Sequence, residues 1–262
     1  MIVDALRGLA RRAGVGRWLY RNLLSADIRR RHWLKGTPAA RLDPQFWGTA
    51  DVLHWLVAHD RDIGEIWDVG ANRGNWALLA RSFFPSARIT CFEPLALHIE
   101  SLAKVADAHG PMQICQAAVG ESTGVASIYL THYSDCSSLL EPVPAGRWAD
   151  ALTVEKRVEI PVLRLDEYQE REKHFPDFIK LDIQGGELAA MRGGIATLAR
   201  TRWLLTEVQF VSSYVGAPSA GEIFAFLSQQ GFEPVCMERD SEPWDRLRAA
   251  DILFGRRGQV PD

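Results

Sequence analysis

A chain of 262 residues with 47% hydrophobic and 24% charged residues suits one large soluble domain, or a domain with an appendage, with a real core. Ten Lys and Arg against three Asp and Glu lie in Met1–Trp47, so this arm carries +7 and the remainder −10; an acidic body argues against nucleic acid as a partner. No apolar run approaches the roughly 18 residues of a membrane span, no signal peptide is recognisable, and the four cysteines form no C-x-x-C pair, which argues against zinc or a redox motif and suits a reducing cytoplasm.

The arm predicts two short helices, "IVDALRGLARRAG" and "RWLYRNLLSADIRRRHWL", before Pro38 and Pro44 punctuate a linker. It reads as a helical lid on the main domain with its arginines in water. Trp18 and Trp33 among the arginines also suit a membrane surface, and a partner subunit or an anionic glycan is a further use. We therefore divide the chain into a basic arm over 1–47 and a main domain over 48–262.

Thr49 to His59 has helical period, "GEIWDV" reads as a buried strand, "NWALLARSFF" as a helix and "ARITCFE" as a strand. Pro94 opens a helix that Gly110 closes. "MQICQAAV", "GVASIYL", "RVEIPVL" and "PDFIKLDI" come next as strands, "GELAAMRGG" as a helix, "RWLLTEV" as a strand, "AGEIFAFLSQQG" as a helix, and "FEPVCM" and "ADILFG" as strands. Strands alternating with helices predict an α/β fold, a mostly parallel sheet covered on both faces. Two loops are long, roughly 131–156 and 209–219, and long loops in a compact domain are usually functional or mobile.

In such a sheet, ligands bind beyond the carboxyl ends of the strands, where strand order reverses. Asp68, Gly70 and Gly74 fall at that end of the first strand, and the helix that starts near Asn75 offers unpaired N–H groups. Glu93 tips the next strand, 25 residues beyond Asp68, where a carboxylate can accept both hydroxyls of an adenosine ribose. The stretch Gly70-Ala-Asn-Arg-Gly74 lacks the G-x-G-x-x-G spacing of a nicotinamide site. Asp68 would repel a pyrophosphate and suit the ammonium of a methionyl group, so the expected ligand is S-adenosyl-L-methionine. A nicotinamide-dependent dehydrogenase stays as an alternative, as does a non-catalytic scaffold.

The motifs "DVGANRG", "FEP", "QAAVGESTG", "VLRLDEY", "FIKLDIQGGELAAMRGG", "LLTEV" and "ADILF" occur in this order. Together, over roughly Asp62 to Phe254, they resemble the FkbM family of class I S-adenosylmethionine-dependent methyltransferases. The resemblance implies a Rossmann-like seven-stranded sheet with an antiparallel last strand, and O-methylation of a hydroxyl on a sugar, glycan precursor or glycosylated natural product. By position, Asp68, Gly70, Ala71, Asn72 and Gly74 match the methionyl and loop contacts, and Glu93 with Pro94 the ribose end. Gln116, Ala117 and Ala118 match the adenine cradle, and Asp182 faces the methyl group. The family usually reads D-V-E-G-x-E where this chain reads Asp182-Ile-Gln184-Gly-Gly-Glu187, so a role that needs an ionised glutamate there is lost or moved.

An alcohol is a poor nucleophile until a carboxylate or histidine takes its proton or a metal lowers its pKa. Asp182 is the first choice as base, with a helix cap as its structural alternative; His132 in the long loop is another candidate, and Glu207 at the end of "LLTEV" is a candidate for catalysis or substrate binding. Glu187 could orient Asp182, bind substrate or favour a helix N-terminus. Ser137, Ser138 and Trp148 are candidate substrate contacts, Trp148 by stacking on a sugar, while Trp67 and Trp203 read as core. No metal is expected, although Asp182 with Glu187 or Glu207 could hold a divalent ion. His98 reads as a packing or water-facing residue, and Lys180 as one half of an ion pair.

Overall fold

Successive side chains of a strand point to opposite faces, so the run Ile66-Trp67 needs an apolar cover on both sides. The computed structural model, which describes residues 26–145, 148–239 and 247–260, supplies it. The helices are α1 (Ala26–Leu34), α2 (Ala50–His59), α3 (Asn75–Phe83), α4 (Ala96–His109), α5 (Leu165–Glu172), α6 (Glu187–Arg192), α7 (Ile195–Leu198) and α8 (Ala220–Gln229). The main sheet comprises β1 (Glu65–Val69), β2 (Arg88–Phe92), β3 (Met112–Cys115), β7 (Phe178–Leu181), β8 (Trp203–Gln209), β9 (Phe232–Arg239) and β10 (Ala249–Arg256). Its order is β3-β2-β1-β7-β8-β10-β9, and β10 is antiparallel to both neighbours while the other pairs are parallel. This is the expected Rossmann-like α/β sheet with its last strand reversed.

On one face Ile66, Ile89, Cys91, Phe178, Leu205 and Leu253 pack against Leu53 and Leu56 of α2 and Leu79 of α3. On the other, Trp67, Val69, Ile179 and Leu204 meet Tyr168 of α5, Leu188 of α6 and Leu227 of α8. Trp67 and Trp203 are core residues, as expected.

Strand order reverses between β1 and β7, so their carboxyl ends frame the crevice in which this kind of sheet binds ligands. A second sheet of order β4-β6-β5 stands beside that crevice, built from β4 (Ala118–Val119), β5 (Gly124–Thr131) and β6 (Val154–Leu163). Its buried face comes from alternation: Ile128 and Leu130 turn inward with Ile160 and Val162, while Val125 is 72% exposed.

Three sequence readings change. "MQICQAAV" is two strands in two sheets, not one. The helix assigned to Pro94 begins at Ala96, because Glu93 accepts from the backbone N–H of Leu95 and holds the entry turn open. Helix α5 was not expected: "LDEYQERE" is polar, and Leu165 and Tyr168, three apart, are its apolar anchors.

The first predicted helix of the arm, with Trp18, lies outside the described residues. The second half of the arm packs into the domain. Leu34, Ala39 and Trp47 join the same core as Leu53, and Trp33 stacks on His54 at 3.9 Å. The arginines are not all in water. Arg30 is 8% exposed, donates from Nε to Asp51 at 2.6 Å and from Nη2 to the Gly48 carbonyl at 3.0 Å, and pairs with Glu238. Burial opposes its charge, but Glu238 and Asp51 outweigh that and hold the guanidinium above its usual range. Among the described residues no helix is long and apolar enough to cross a membrane.

Candidate active site

The loop after β1 is shaped by its backbone. Gly70 has φ +83°, and a Cβ there would stand 2.0 Å from the Asp182 carbonyl oxygen. The chains leaving β1 and β7 touch at that point, and only glycine lets them do so. Replacing Gly70 by alanine is expected to cost about 3 kcal/mol or more of stability. A thermal melt would show it, and wild-type melting would contradict the close approach. Gly70 and Ala71 both donate to the Phe92 carbonyl. Asn72, at φ +50°, donates its N–H to Glu93 Oε2 at 2.8 Å and its side-chain amide to Asp135 Oδ1 at 3.1 Å.

A cleft opens above this loop. Gly70, Asn72, Glu93, Pro94, Ala117, Ala118, Ser137, Ser138 and Asp182 line it, which brings together residues from four strand ends and the long loop after β5. Its apolar wall includes Phe92, Leu95 and Ile128. Ala71 and Gly74 shape the turn without lining the cleft, and Gln116 is exposed outside it.

The group this cleft has to fit is an adenosyl-methionine. Glu93 is 4% exposed. Its Oε1 accepts from Leu95 N at 2.8 Å and faces His98 Nδ1 at 3.1 Å, and its Oε2 accepts from Asn72 N. A carboxylate has roughly four acceptor sites, and two backbone N–H groups fill two of them, so capacity remains for ribose hydroxyls. The apolar wall beside Ala117 and Ala118 suits a purine. The residues present therefore fit the group.

Asp68 is corrected. It does not line the cleft: it is fully buried, pointing to the same sheet face as Ile66 and Cys91. There it lies 3.3 Å from Lys180 Nζ, which also lies 3.4 Å from Asp182 and donates to the Gly70 carbonyl at 3.0 Å. Burial drives the Asp68 carboxyl up and Lys180 pulls it back. Burial likewise opposes the Lys180 charge, yet Asp68 and Asp182 outweigh it and hold the ammonium above the usual lysine range. Asp68 thus anchors Lys180, and Lys180 ties the loop of Gly70 to Asp182.

Asp182 stands where the cleft meets its neighbouring cavities. It lines the cofactor cleft and also two further cavities. One is polar and is walled by Arg30, Gln45, Glu207, Glu238 and Asp251, so that residues of the arm roof it. The other holds Trp148, Gln184, Glu207, Gln209, Tyr214 and Arg248. Trp148 is 41% exposed. Glu207 is half-buried and accepts from Gln209 Nε2 at 2.9 Å. Burial, then the charges of Asp182 and Glu187, push its carboxyl well above the ordinary range.

Other expected residues lie elsewhere. His132 is 54% exposed and lines none of these cavities; its ring faces Glu155 at 3.2 Å and Asp150 at 4.0 Å. Glu187 is 2% exposed and lines none of them. Its Oε1 accepts from Ile183 N and Gly185 N and clamps the turn after β7. Ser137 accepts from Thr131 N, and Ser138 donates to the Gln184 carbonyl at 2.7 Å, so both hold the loops that wall the cleft. Among the described residues no group of three or more His, Cys, Asp or Glu is placed to hold a metal ion.

Burial raises the Glu187 carboxyl from 4.5 to about 7. The folded state therefore keeps a proton that the unfolded chain has released. Stability from this group is full below pH 4.5 and is lost as pH climbs to 7, a span worth about 3 kcal/mol. Glu187→Gln keeps an acceptor oxygen and is expected to lose this dependence. Chemical denaturation at pH 5 and pH 8 checks it, and a variant with the wild-type pH slope would reassign the titration.

His98, read as packing or water-facing, is a cleft residue. It is 1% exposed, with Nε2 3.0 Å from Ser134 Oγ and Nδ1 3.1 Å from Glu93. The available signal was its position five residues past Glu93, at the cleft end of α4.

Comparison with known proteins gives the family. The family model described as the methyltransferase FkbM domain matches residues 68–234, more than half of the chain. The chain is 25% identical over 163 residues to the hexuronic acid methyltransferase AglP of Haloferax volcanii, covering 62% of each protein. It is also 25% identical over 162 residues to the 2-O-methyltransferase NoeI of Sinorhizobium fredii, covering 58% of this chain and 65% of that one. The match thus spans less than two thirds of the length of either relative. Among solved structures, the magnesium protoporphyrin IX methyltransferase (ChlM) of Synechocystis PCC 6803 with bound SAM is similar at 12% identity and a TM-score of 0.46, over 88% of this chain and 92% of that one. The chain belongs to the FkbM methyltransferase family, whose methyl donor is S-adenosyl-L-methionine.

Proposed function

We propose that this methyltransferase transfers a methyl group to a hydroxyl of a sugar or glycan precursor, with Asp182 as general base. The observation that carries the reading is the place of Asp182, shared between the cofactor cleft and the two cavities beside it. The relatives AglP and NoeI, by their names a hexuronic acid methyltransferase and a 2-O-methyltransferase, support the substrate class. Family membership sets aside the nicotinamide reading.

When bound, S-adenosylmethionine supplies an electrophilic methyl carbon: the acceptor oxygen bonds to it while the carbon–sulfur electron pair leaves with the thioether. Asp182 takes the hydroxyl proton in that step. Lys180 and Gln184 hold its two carboxylate oxygens, so its direction is fixed before the acceptor arrives, and much of the rate in such a displacement comes from that positioning. Glu93, with Asn72 and Leu95 on its oxygens, holds the ribose end. Trp148 offers a stacking surface for a sugar ring.

Methyl-labelled S-adenosylmethionine incubated with the protein and extracted cell-surface glycans tests this. Label is expected in the glycan fraction and should resist mild alkali, as a methyl ether does and a methyl ester does not. A complete failure to label, with S-adenosylhomocysteine still bound, would favour a scaffold instead.

A further inference from the structure

The turn from Asp182 to Glu187 is the most constrained backbone of the site. Gln184 has φ +59°, a region that a side chain adopts only where its surroundings hold it. They do so here: Ser138 Oγ donates to the Gln184 carbonyl, and Glu187 accepts from the N–H groups on either side. The side chain is as fixed as the backbone. Tyr214 Oη donates to Gln184 Oε1 at 2.8 Å, and Gln184 Nε2 donates to Asp182 Oδ1 at 2.9 Å.

The chemistry dictates the direction of this chain. A carboxylate only accepts, so the atom of Gln184 that faces Asp182 must be the amide nitrogen. The amide oxygen is then turned toward Tyr214, whose single hydroxyl proton satisfies it. Burial holds the Tyr214 phenol above its usual range, so that proton stays in place. Tyr214 is 2% exposed, and the Cys136 carbonyl, 2.9 Å from its oxygen, is a second acceptor for the same proton.

We propose that Gln184 is a positioning residue that aims Asp182 at the acceptor oxygen, that Tyr214 locks its amide, and that an uncharged amide at position 184 lets the reaction run at lower pH than a carboxylate there would. This rests on the reading of Asp182 as base. A glutamate at 184 would set a second carboxylate where Gln184 now offers an N–H. Two carboxylates at that distance share a proton, and an Asp182 that shares one cannot take another from the acceptor. The other charged and titratable groups around Asp182 are Lys180 on β7, Asp68 on β1, Glu207 on β8, Asp251 on β10, Glu187 on α6, and Cys136 and Tyr214 on the loops, with Arg30, Glu238 and Arg248 in the two cavities it shares and Glu93, His98 and Asp135 in the cleft. Gln184→Glu leaves all of them in place, so a shift in pH response reports on position 184.

The test uses the full chain and has two readouts. In a ¹⁵N–¹H spectrum without cofactor, the side-chain amide of Gln184 is identified by its absence from Gln184→Glu. Its signal is expected to move in both Tyr214→Phe and Asp182→Asn; a signal unmoved in both overturns the bonded chain. Transfer of labelled methyl from S-adenosylmethionine to extracted cell-surface glycans is then measured from pH 5 to 9. The acidic limb is expected to rise by about one pH unit in Gln184→Glu, with S-adenosylhomocysteine affinity within about twofold of wild type. Tyr214→Phe is expected to lower kcat by roughly 3- to 10-fold at unchanged cofactor affinity, an effect of misaimed geometry. An unmoved limb beside an inactive Asp182→Asn overturns this proposal alone. An active Asp182→Asn overturns the base reading beneath it. Should Gln184→Glu fail to fold, full activity in Tyr214→Phe overturns the proposal and the stated kcat loss upholds it.

Discussion

Glu93→Ala is expected to weaken S-adenosylhomocysteine binding by at least about 100-fold, read by calorimetric titration. A hydrogen bond to a charged group contributes about 1.5–3 kcal/mol, and roughly 2.7 kcal/mol is a hundredfold in affinity. A ribose contact at the carboxylate would supply one such term. The remaining loss comes from the walls of the cleft. Glu93 holds Asn72 N on one side and Leu95 N on the other, and it faces the ring of His98. Without the carboxylate, the loop after β1 and the entry to α4 lose the group that joins them, and the cleft loses its pre-set shape. Glu93→Gln keeps one acceptor oxygen and is expected to fall between alanine and wild type. Wild-type affinity in the alanine variant would place the nucleoside away from β2 and undo the site assignment.

The glycine loop and Glu93 were legible in the sequence because their signals are local. A strand, a tight turn and a helix succeed one another within "WDVGANRGNW", and Glu93 ends the next strand. Asp182 was legible for the same reason, as the residue just beyond "FIKL". Asp68 was misread because its partner is not local. Lys180 stands opposite it in the register of β1 with β7, more than a hundred residues on. Alternation alone put Asp68 on the face of Ile66, but no sequence rule says that a cation waits there. Similarly, Tyr214 meets Gln184 from 30 residues away and His98 meets Ser134 from 36. His132, chosen as a histidine in a long loop, is exposed because that loop folds across the cleft with Ser134 and Asp135 instead. Pairings of this kind depend on how the long loops return to the sheet, and loop returns carry little periodic signal.

Asp182→Asn is expected to lower transfer to a hydroxyl by about 10³-fold while leaving S-adenosylhomocysteine affinity within a few-fold of wild type. General base catalysis contributes roughly 10²–10⁴ in rate. Asparagine keeps the size of the side chain and an oxygen that Gln184 Nε2 can still donate to, while it removes proton acceptance and the charge that faces Lys180. The cofactor cleft keeps its other walls, among them Glu93, Asn72 and Ala118, which is why binding is spared. The same variant separates two acceptor chemistries. A hydroxyl must surrender its proton before or as the new bond forms, whereas a carboxylate arrives already ionised and needs no base. Alkali-stable label that disappears in Asp182→Asn therefore identifies a hydroxyl acceptor with Asp182 as its base. Alkali-labile label that survives the substitution would identify an ester-forming enzyme, with Asp182 serving only to hold Lys180 and the loop of Gly70. Glu207→Gln, at a carboxyl that burial and its acidic neighbours push up, is expected to cost less than Asp182→Asn, because Glu207 does not line the cofactor cleft and Asp182 does.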